Sequence, residues 1–177
     1  ISAIIGVETR YGKNTGSYRV LDALSTLAFD YPARAKFFRG ELENYLLLTR
    51  DEGIDPLSLK GSYAGAMGLP QFIPSSYRHY AVDFDNDGQR DLWANPVDAI
   101  GSVANYFSEH GWQSDAVVAL PAQVSGDNYA ALADEGLKPE RSLREFARQG
   151  VSVAPDAPDA PDDASAALLE FEGEAGM

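Results

Sequence analysis

The first third of the chain alternates apolar and polar residues at the spacing of amphipathic helices. In residues 1–11, three isoleucines and Glu8 occupy positions i, i+3, i+4 and i+7 of one helix face, and Gly12 ends the pattern. Similar stripes predict a second helix over residues 19–29 and a third over residues 32–53, which opens with a proline. These helices are expected to bury a common core.

Beyond residue 60 the pattern changes to turns and shorter elements. The predicted order is a glycine-rich turn at 61–68, a short helix at 75–80, an acidic loop at 83–91, a helix at 95–110, strand-like residues from 117 to 124, a helix at 139–149 and a strand at 167–171. The predicted fold class is therefore α+β, mainly α. A helical core over residues 1–113 precedes a small α+β domain over residues 114–177.

One segment of the second domain is expected to stay irregular. Residues 154–163 contain only Ala, Pro and Asp. Such a segment has almost no apolar surface to bury, so we predict a solvated loop with no chemical role.

Composition and charge narrow the classes of function. Hydrophobic residues make up 45% of the chain, enough for a packed core, and the absence of cysteine excludes disulfides and thiolate nucleophiles. Residues 1–60 carry eight Lys/Arg against eight Asp/Glu, whereas residues 61–177 carry six against nineteen. This acidity argues against a nucleic-acid partner, which requires a basic face. The sequence is expected to be soluble, with any targeting segment upstream of Ile1.

Glu8 is the first candidate for chemistry. The helical pattern places its carboxyl on the stripe that faces the core, where desolvation favours the neutral acid that can protonate a leaving group. The alternative is structural: Glu8 lies near the helix end and reaches water, or it pairs with Arg10 or Lys13. The pattern alone leaves both interpretations open.

The segment Ser62–Tyr77 combines small residues with aromatic and amide side chains. Sugars are bound by such mixtures, because aromatic faces cover C–H patches while Ser, Gln and backbone groups hold hydroxyls. A tight loop packed on a helix, with Met67 as core filler, explains the same residues equally well.

Residues 83–91 follow the spacing of an EF-hand calcium loop. Oxygen ligands at positions 1, 3, 5, 7 and 9 would come from Asp83, Asp85, Asp87, the Gln89 carbonyl and Asp91, with Gly88 at position 6. Ala94 occupies position 12, so the best substitute for the usual glutamate is Asp98 in the following helix. The alternatives are an acidic solvated turn and, for Asp98, a charge at a helix N-terminus.

Four segments together carry a family resemblance: Ile4–Gly12, Ser62–Phe72, Asp83–Trp93 and Pro96–Phe107. In this order they resemble the membrane-bound lytic transglycosylase B family, including its soluble 35-kDa form, over residues 1–113. The resemblance implies a lysozyme-like helical core with an EF-hand-like calcium loop at 83–98 and a small β-containing domain.

The resemblance also implies roles for single residues. Glu8 matches the catalytic glutamate of the family, and an aspartate also stands at the Asp98 position, although the loop here is one residue longer. Pro70 stands where the family more often has glycine. The remaining implied site residues are Ser62, Tyr63, Met67, Gln71 and Tyr106 along the glycan cleft and Arg34 beside the peptide stem.

The family chemistry explains why a single carboxylate is enough. Ordinary glycosidases need two, and no second one accompanies Glu8 in the motifs. In lytic transglycosylases the 6-hydroxyl of N-acetylmuramic acid attacks its own anomeric carbon and gives a 1,6-anhydro product. The implied function is cleavage of the β-1,4 bond between N-acetylmuramic acid and N-acetylglucosamine, with Glu8 as acid and then as base.

Two other functions remain open. One is a non-catalytic, calcium-stabilised cell-wall-binding module on a lysozyme-like core, and the other is a plain calcium-binding protein. The expected cofactor is structural Ca²⁺, without an organic cofactor. The expected partners are peptidoglycan glycan strands and other cell-wall enzymes. The expected location is the bacterial periplasm, with an outer-membrane anchor in a segment outside residues 1–177.

Overall fold

The computed structural model describes residues 1–171, so the last six residues of the predicted second domain lie outside the described part. The chain divides into two compact units, Ile1–Gln113 and Ser114–Met177. Within residues 1–171 no helix is both long and apolar enough to cross a membrane.

The first unit is mainly helical. Its elements are α1 (Ser2–Thr9), β1 (Tyr18–Arg19), α2 (Val20–Asp30), α3 (Ala35–Asp51), β2 (Lys60–Gly61), α4 (Pro74–Tyr80) and α5 (Pro96–Glu109). The predicted helices are confirmed with small shifts at their ends. The clearest shift is at Pro32, which begins a 3₁₀ turn, Pro32–Arg34, and not α3 itself. The side chain of Asn95 accepts the N–H of Val97 and caps α5, as its position before a proline predicts.

The core of this unit lies between α2, α3, α4 and α5. Its fully or nearly fully buried residues are Val20, Leu24, Ala28, Phe38, Tyr45, Leu48, Met67, Phe72, Tyr77, Ala81, Leu92 and Val103. Each large apolar side chain contributes about 1.5–3 kcal/mol of transfer free energy when it leaves water. Four of the members lie outside the helices, namely Met67, Phe72, Ala81 and Leu92, so the loops between α3 and α5 are part of the packed interior.

Two core tyrosines combine burial with a hydrogen bond. The hydroxyl of Tyr45 donates to the Pro56 carbonyl at 2.7 Å, and that of Tyr77 donates to the Arg90 carbonyl. Desolvation, with a smaller contribution from the Asp55 carboxylate, raises the pKa of Tyr45 from 10.0 to about 12. Desolvation raises the pKa of Tyr77 as well.

These shifts predict a stability that depends on alkaline pH. A tyrosine in the unfolded chain ionises near pH 10, whereas folded Tyr45 stays neutral to about 12. The unfolded state therefore releases its proton first, and the stabilisation is intact below pH 10 and falls as the pH rises from 10 through 12. Absorbance at 295 nm should show two of the nine tyrosines ionising only together with the loss of circular dichroism. Ionisation of all nine near pH 10 with an unchanged dichroism signal would contradict this.

The second unit is built from short elements. They are β3 (Ala122–Val124), α6 (Tyr129–Ala133), β4 (Arg141–Ser142), α7 (Leu143–Arg148), β5 (Val151–Val153) and β6 (Ser165–Ala166). β3 pairs with β5 and β4 with β6, both antiparallel. A small core of Leu132, Phe146 and Val151 lies between them. Residues 154–163 form no helix or strand, in agreement with the sequence.

The strand predicted at 117–124 is confirmed only at residues 122–124, and the strand predicted at 167–171 is wrong. Residues 117–120 form no strand, with Val118 76% exposed, and residues 167–171 form none either. An apolar run becomes a strand only where another backbone pairs with it. The available partners, β5 and β4, pair with residues 122–124 and 165–166. The predicted helix at 139–149 is shorter, because a capping box between Ser142 and Glu145 starts it at Leu143.

Candidate active site

The loop between β2 and α4 folds back on itself. Met67 and Phe72 exchange backbone hydrogen bonds of 2.8 and 3.0 Å, and Ser62 donates its N–H to the Ala66 carbonyl. Met67 is 0% exposed and belongs to the hydrophobic core. The prediction that it contacts glycan is corrected: its side chain has no free surface, because it fills the interior under the loop.

Ser62 and Tyr63 stand at the outer turn of this loop. The Ser62 hydroxyl accepts the N–H groups of Ala64 and Ala66 at 3.2 and 3.0 Å. It therefore shapes the turn, and its own proton remains available to another acceptor. Tyr63 is 72% exposed and presents a free aromatic face.

Gln71 lies in a strained conformation at the other end of the loop. Its φ is +50°, a left-handed value that costs a non-glycine residue roughly 1–2 kcal/mol. The side-chain Nε2 donates to the carbonyls of Gly68 and Thr15 at 2.9 and 3.1 Å. These bonds fix the amide, leave its carbonyl oxygen free to accept, and tie the loop to the segment that follows α1.

Glu8 lies near the end of α1 on its solvent side. The helix turns Ile5 and Thr9 toward the interior, whereas Glu8 is exposed. The prediction that Glu8 faces the core is wrong. The buried face of this short helix consists of Ile5 and Thr9, four residues apart, and Glu8 lies on the exposed side next to them. None of the ion pairs found in residues 1–171 includes Glu8, so the alternative pairings with Arg10 and Lys13 are not formed either.

The surroundings of Glu8 on α1 are nevertheless apolar. Ile4 and Val7 are 37% and 83% exposed, and Tyr11, just beyond the helix, is 70% exposed. Exposed apolar and aromatic side chains beside a few polar groups are typical of ligand sites. The carboxylate therefore lies beside exposed apolar and aromatic side chains.

A direct hydrogen bond joins α1 to the loop. The hydroxyl of Thr9, the residue after Glu8, lies 3.0 Å from the carbonyl oxygen of Leu69. Together with the Gln71–Thr15 bond, this contact holds the helix end that carries Glu8 against the loop that carries Ser62 and Gln71. Thr9 was not among the predicted site residues; its sequence signal is its position four residues after Ile5 on the buried face.

Tyr106 belongs to an aromatic cluster on α5. Its ring stacks on His110 with centroids 4.1 Å apart and meets the rings of Phe72 and Tyr80 at 5.9 and 5.0 Å. Because Phe72 belongs to the folded loop, this cluster connects α5 to the same loop as Gln71. Tyr106 is partly buried, so part of its surface stays open.

Arg34 lies elsewhere in the unit, at the start of α3. Its guanidinium group stands over the rings of Phe37 and Phe38, 4.4 and 5.2 Å from their centroids. It lines an open groove formed by residues of the Pro32–Asn44 stretch. Neither Glu8 nor Gln71 lines that groove, so the structure places Arg34 outside the constellation around Glu8.

The acidic loop brings three carboxylates together. Oxygen atoms of Asp83, Asp85 and Asp87 lie within 4.8 Å of one another, and Gly88 takes the left-handed φ of +91° that the turn requires. Oxygen donors gathered this closely suit a hard divalent cation, which would offset their mutual repulsion. Of the predicted ligands, these three are grouped as a calcium ion requires, whereas Asp91 and Asp98 do not belong to this group in the described part of the chain.

Asp98 is fully buried and closes the loop. Its Oδ1 accepts the N–H of Phe84 at 2.8 Å and its Oδ2 accepts the N–H of Asp91 at 2.9 Å. This is more than a charge at a helix end, because both oxygens hold loop backbone. Asp91 uses its Oδ1 for the N–H groups of Trp93 and Ala94 and so shapes the turn before α5.

A second clamp on the acidic loop was not predicted. Arg90 forms an ion pair with Glu52, at the end of α3, and its guanidinium group stands 5.5 Å from the Tyr77 ring centroid. Gln89, expected to act through its carbonyl, is exposed. The acidic loop is thus held against α3 and α4 as well as α5.

Comparison with known proteins identifies the family. The whole chain, residues 1–177, matches the family described as transglycosylase SLT domain. It is 53% identical over 183 residues to membrane-bound lytic murein transglycosylase B of Escherichia coli (strain K12), which covers 99% of this chain and 46% of that protein. The chain therefore spans about half the length of this curated relative.

Two solved structures show the same fold. Soluble lytic transglycosylase SltB1 from Pseudomonas aeruginosa is 56% identical, with a TM-score of 0.81 over 87% of this chain and 52% of that one. Escherichia coli lytic transglycosylase Slt35, in complex with calcium, is 50% identical, with a TM-score of 0.78 over 94% of this chain and 51% of that one. The resemblance inferred from the motifs is confirmed, and the chain belongs to the transglycosylase SLT domain family.

Proposed function

We propose that this chain carries the catalytic carboxylate of a peptidoglycan lytic transglycosylase, and that this carboxylate is Glu8. The observation that carries the proposal is the bonded junction between α1 and the loop: Thr9 to Leu69, and Gln71 to Thr15. It ties the helix end that carries Glu8, the one acid of the family motif, to the loop that carries Ser62 and Gln71. The murein substrate is that named for the curated relative.

The proposed reaction needs only one protein carboxyl group. Glu8 donates its proton to the glycosidic oxygen as the bond to C1 of N-acetylmuramic acid breaks, and N-acetylglucosamine leaves. The 6-hydroxyl of the same N-acetylmuramic acid then bonds to C1 and gives its proton to the Glu8 carboxylate. Atoms balance without water. Since the attacking hydroxyl belongs to the reacting sugar, much of the entropic barrier is already removed.

The other residues would bind the glycan. The free carbonyl of Gln71 and the Ser62 hydroxyl would bind sugar hydroxyl or acetamido groups, and Tyr63 and Tyr106 would offer aromatic faces. Substrate on the apolar surface around Val7 would exclude water from Glu8, which the described residues alone leave exposed. Arg34 would contact a more distant part of the substrate, such as a peptide stem.

We also propose a structural calcium ion in the acidic loop. Asp83, Asp85, Asp87 and the Gln89 carbonyl would hold it, with Asp91 and Asp98 completing the set. When bound, the ion would neutralise the clustered carboxylates and pin the loop to α5. The calcium complex of Slt35 supports this. A periplasmic location and contacts with other cell-wall enzymes are proposed from the family alone.

Product analysis tests the proposed reaction. We expect digestion of purified sacculi with the full-length protein to release fragments ending in 1,6-anhydro-N-acetylmuramic acid, identified by mass spectrometry. Such products are lighter by one water than those of a hydrolase, because the 6-hydroxyl replaces water as the nucleophile. Reducing ends in place of anhydro ends would overturn the mechanism and assign a hydrolase.

The exposure of Glu8 favours one alternative, a non-catalytic cell-wall-binding module. In that case the protein would bind sacculi and release no soluble fragments. The same digestion, with a pull-down of protein by insoluble sacculi, separates the two: binding with release supports the enzyme, and binding without release supports the module.

A further inference from the structure

Thr9, the neighbour of Glu8, is 1% exposed and serves three partners. Its hydroxyl accepts the N–H of Gly12 at 3.0 Å and lies 3.0 and 3.1 Å from the carbonyl oxygens of Leu69 and Ile5. A hydroxyl has one proton, so it donates fully to only one of these carbonyls at a time. The Ile5 carbonyl also receives the N–H of Tyr11. Within residues 1–171 the Leu69 carbonyl receives no other donor, so it depends on Thr9.

The turn that Thr9 closes is strained. Arg10 and Tyr11 have φ values of +50° and +57°, and Gly12 follows with +83°. Three consecutive left-handed residues, two of them with side chains, persist only where surrounding contacts hold them. A Cβ on Gly12 would lie 2.6 Å from the Leu69 side chain. The strained turn, which begins two residues after Glu8, therefore packs directly against the Leu69 side chain.

Leu69 is also bonded, through its backbone N–H, to the segment that directly follows the acidic loop. Its N–H donates to the Leu92 carbonyl at 2.8 Å. Gly68 is packed so closely that a Cβ there would lie 2.5 Å from the same oxygen. Leu92 follows Asp91, whose N–H donates to Asp98. A path of hydrogen bonds and backbone thus runs from the buried Asp98 carboxylate on α5, through residues 91–92 and Leu69, to the Thr9 hydroxyl beside Glu8.

We infer that Thr9 is a positioning residue for Glu8, and that the backbone of Leu69 links the position of Glu8 to the acidic loop. The inference rests on the proposed function of Glu8. Thr9 fixes the orientation of the C-terminal end of α1, because its hydroxyl bonds to the Leu69 carbonyl and also accepts the Gly12 N–H of the strained turn. A displacement of the acidic loop is transmitted to Glu8 through two hydrogen bonds of Leu69, one from its N–H to the Leu92 carbonyl and one from the Thr9 hydroxyl to its own carbonyl. The close packing at Gly68 prevents the backbone there from absorbing the displacement.

The test compares Thr9→Val, which removes the hydroxyl and keeps the shape, with Thr9→Ser, which keeps the hydroxyl. Thr49→Val is the matched control, because Thr49 is 3% exposed and its hydroxyl bonds only within its own helix, to the Leu46 carbonyl. We expect Thr9→Val to lower kcat by roughly 10²-fold, the usual effect of a misplacement of about 1 Å, with KM little changed. Thr9→Ser should restore kcat, and Thr49→Val should keep it.

The second readout requires no activity. In amide NMR spectra of the full chain, adding Ca²⁺ or introducing Asp98→Asn should shift the resonances of Leu69 and Gly12. Thr9→Val should abolish the Gly12 shift and keep the Leu69 shift. If neither perturbation moves Gly12 in the unsubstituted protein, or if Thr9→Val and Thr49→Val lower kcat equally, the inference is overturned.

These outcomes separate the inference from the function it rests on. A protein that releases no product from sacculi, with or without substitutions, overturns the role of Glu8 and with it the positioning role of Thr9. The amide shifts still decide whether the Leu69 peptide links the acidic loop to the α1 turn. If the Thr9→Val protein fails to fold, the spectra of the unsubstituted chain and of Thr9→Ser decide whether Leu69 links the acidic loop to the α1 turn.

Discussion

Replacing Glu8 with Gln is expected to lower the rate of product release from sacculi by about 10²–10⁴-fold, the usual contribution of a general acid–base group. The amide has nearly the same shape as the carboxyl group but can neither give a proton to the leaving oxygen nor take one from the 6-hydroxyl. Because Glu8 is exposed and forms no ion pair among residues 1–171, its loss should cost the fold almost nothing. Initial rates, thermal unfolding and binding to sacculi check the three parts of this expectation.

Glu43→Gln is the matched control. Glu43 is also an exposed helical glutamate, on α3, and like Glu8 it forms no ion pair among residues 1–171. Its substitution should leave the rate of release unchanged. A Glu8→Gln protein as active as Glu43→Gln would remove Glu8 from the mechanism, and a loss of activity caused only by unfolding would appear as a lower Tm.

Replacing Asp98 with Asn is expected to cost about 1–3 kcal/mol of unfolding free energy even in the presence of a chelator. The buried carboxylate accepts two backbone N–H groups, from Phe84 and Asp91. An amide can accept only one of them and turns its own N–H toward the other, and a buried donor without an acceptor costs about 1–3 kcal/mol. The variant should also lose the rise in Tm that Ca²⁺ is expected to produce in the unsubstituted protein. Denaturant unfolding and Ca²⁺ titrations of Tm measure both effects.

Asp22→Asn separates this role from that of an ordinary helix charge. Asp22 also lies in the first turn of a helix, α2, but it is exposed and pairs with Arg19 at 3.4 Å. Its substitution should cost about 0.3–1 kcal/mol, the usual value for a charge at a helix end. It should leave the Ca²⁺ response intact. Equal losses for the two variants, or a full Ca²⁺ response in Asp98→Asn, would show that Asp98 acts only as a helix-end charge.

The helices of the first unit could be predicted because their signals are local. A helix stripe repeats within one or two turns, and its ends are marked by residues such as Asn95 and Pro96, whose effect is exerted within a few positions. The acidic loop was recognisable for the same reason, since its aspartates alternate within nine residues. Family membership followed from four such local motifs in order.

The second unit was harder because its short strands depend on partners far away in the chain. Val124 pairs with Val151 and Ser142 with Ser165, and nothing near Val118 marks it as unpaired. Apolar content predicts that a segment can be a strand. Only the pairing decides whether it is one, so the strands were placed several residues from their positions.

For Glu8, the sequence by itself determined the residue, its helix and its family motif. Which face of α1 is covered depends on contacts with residues about 60 positions away, and these turned Thr9 inward and left Glu8 exposed. The same holds for Met67, which the motif places with the glycan residues and the packing places in the core. Local spacing determines which side chains share a face, but only the packing of distant segments decides which face is buried.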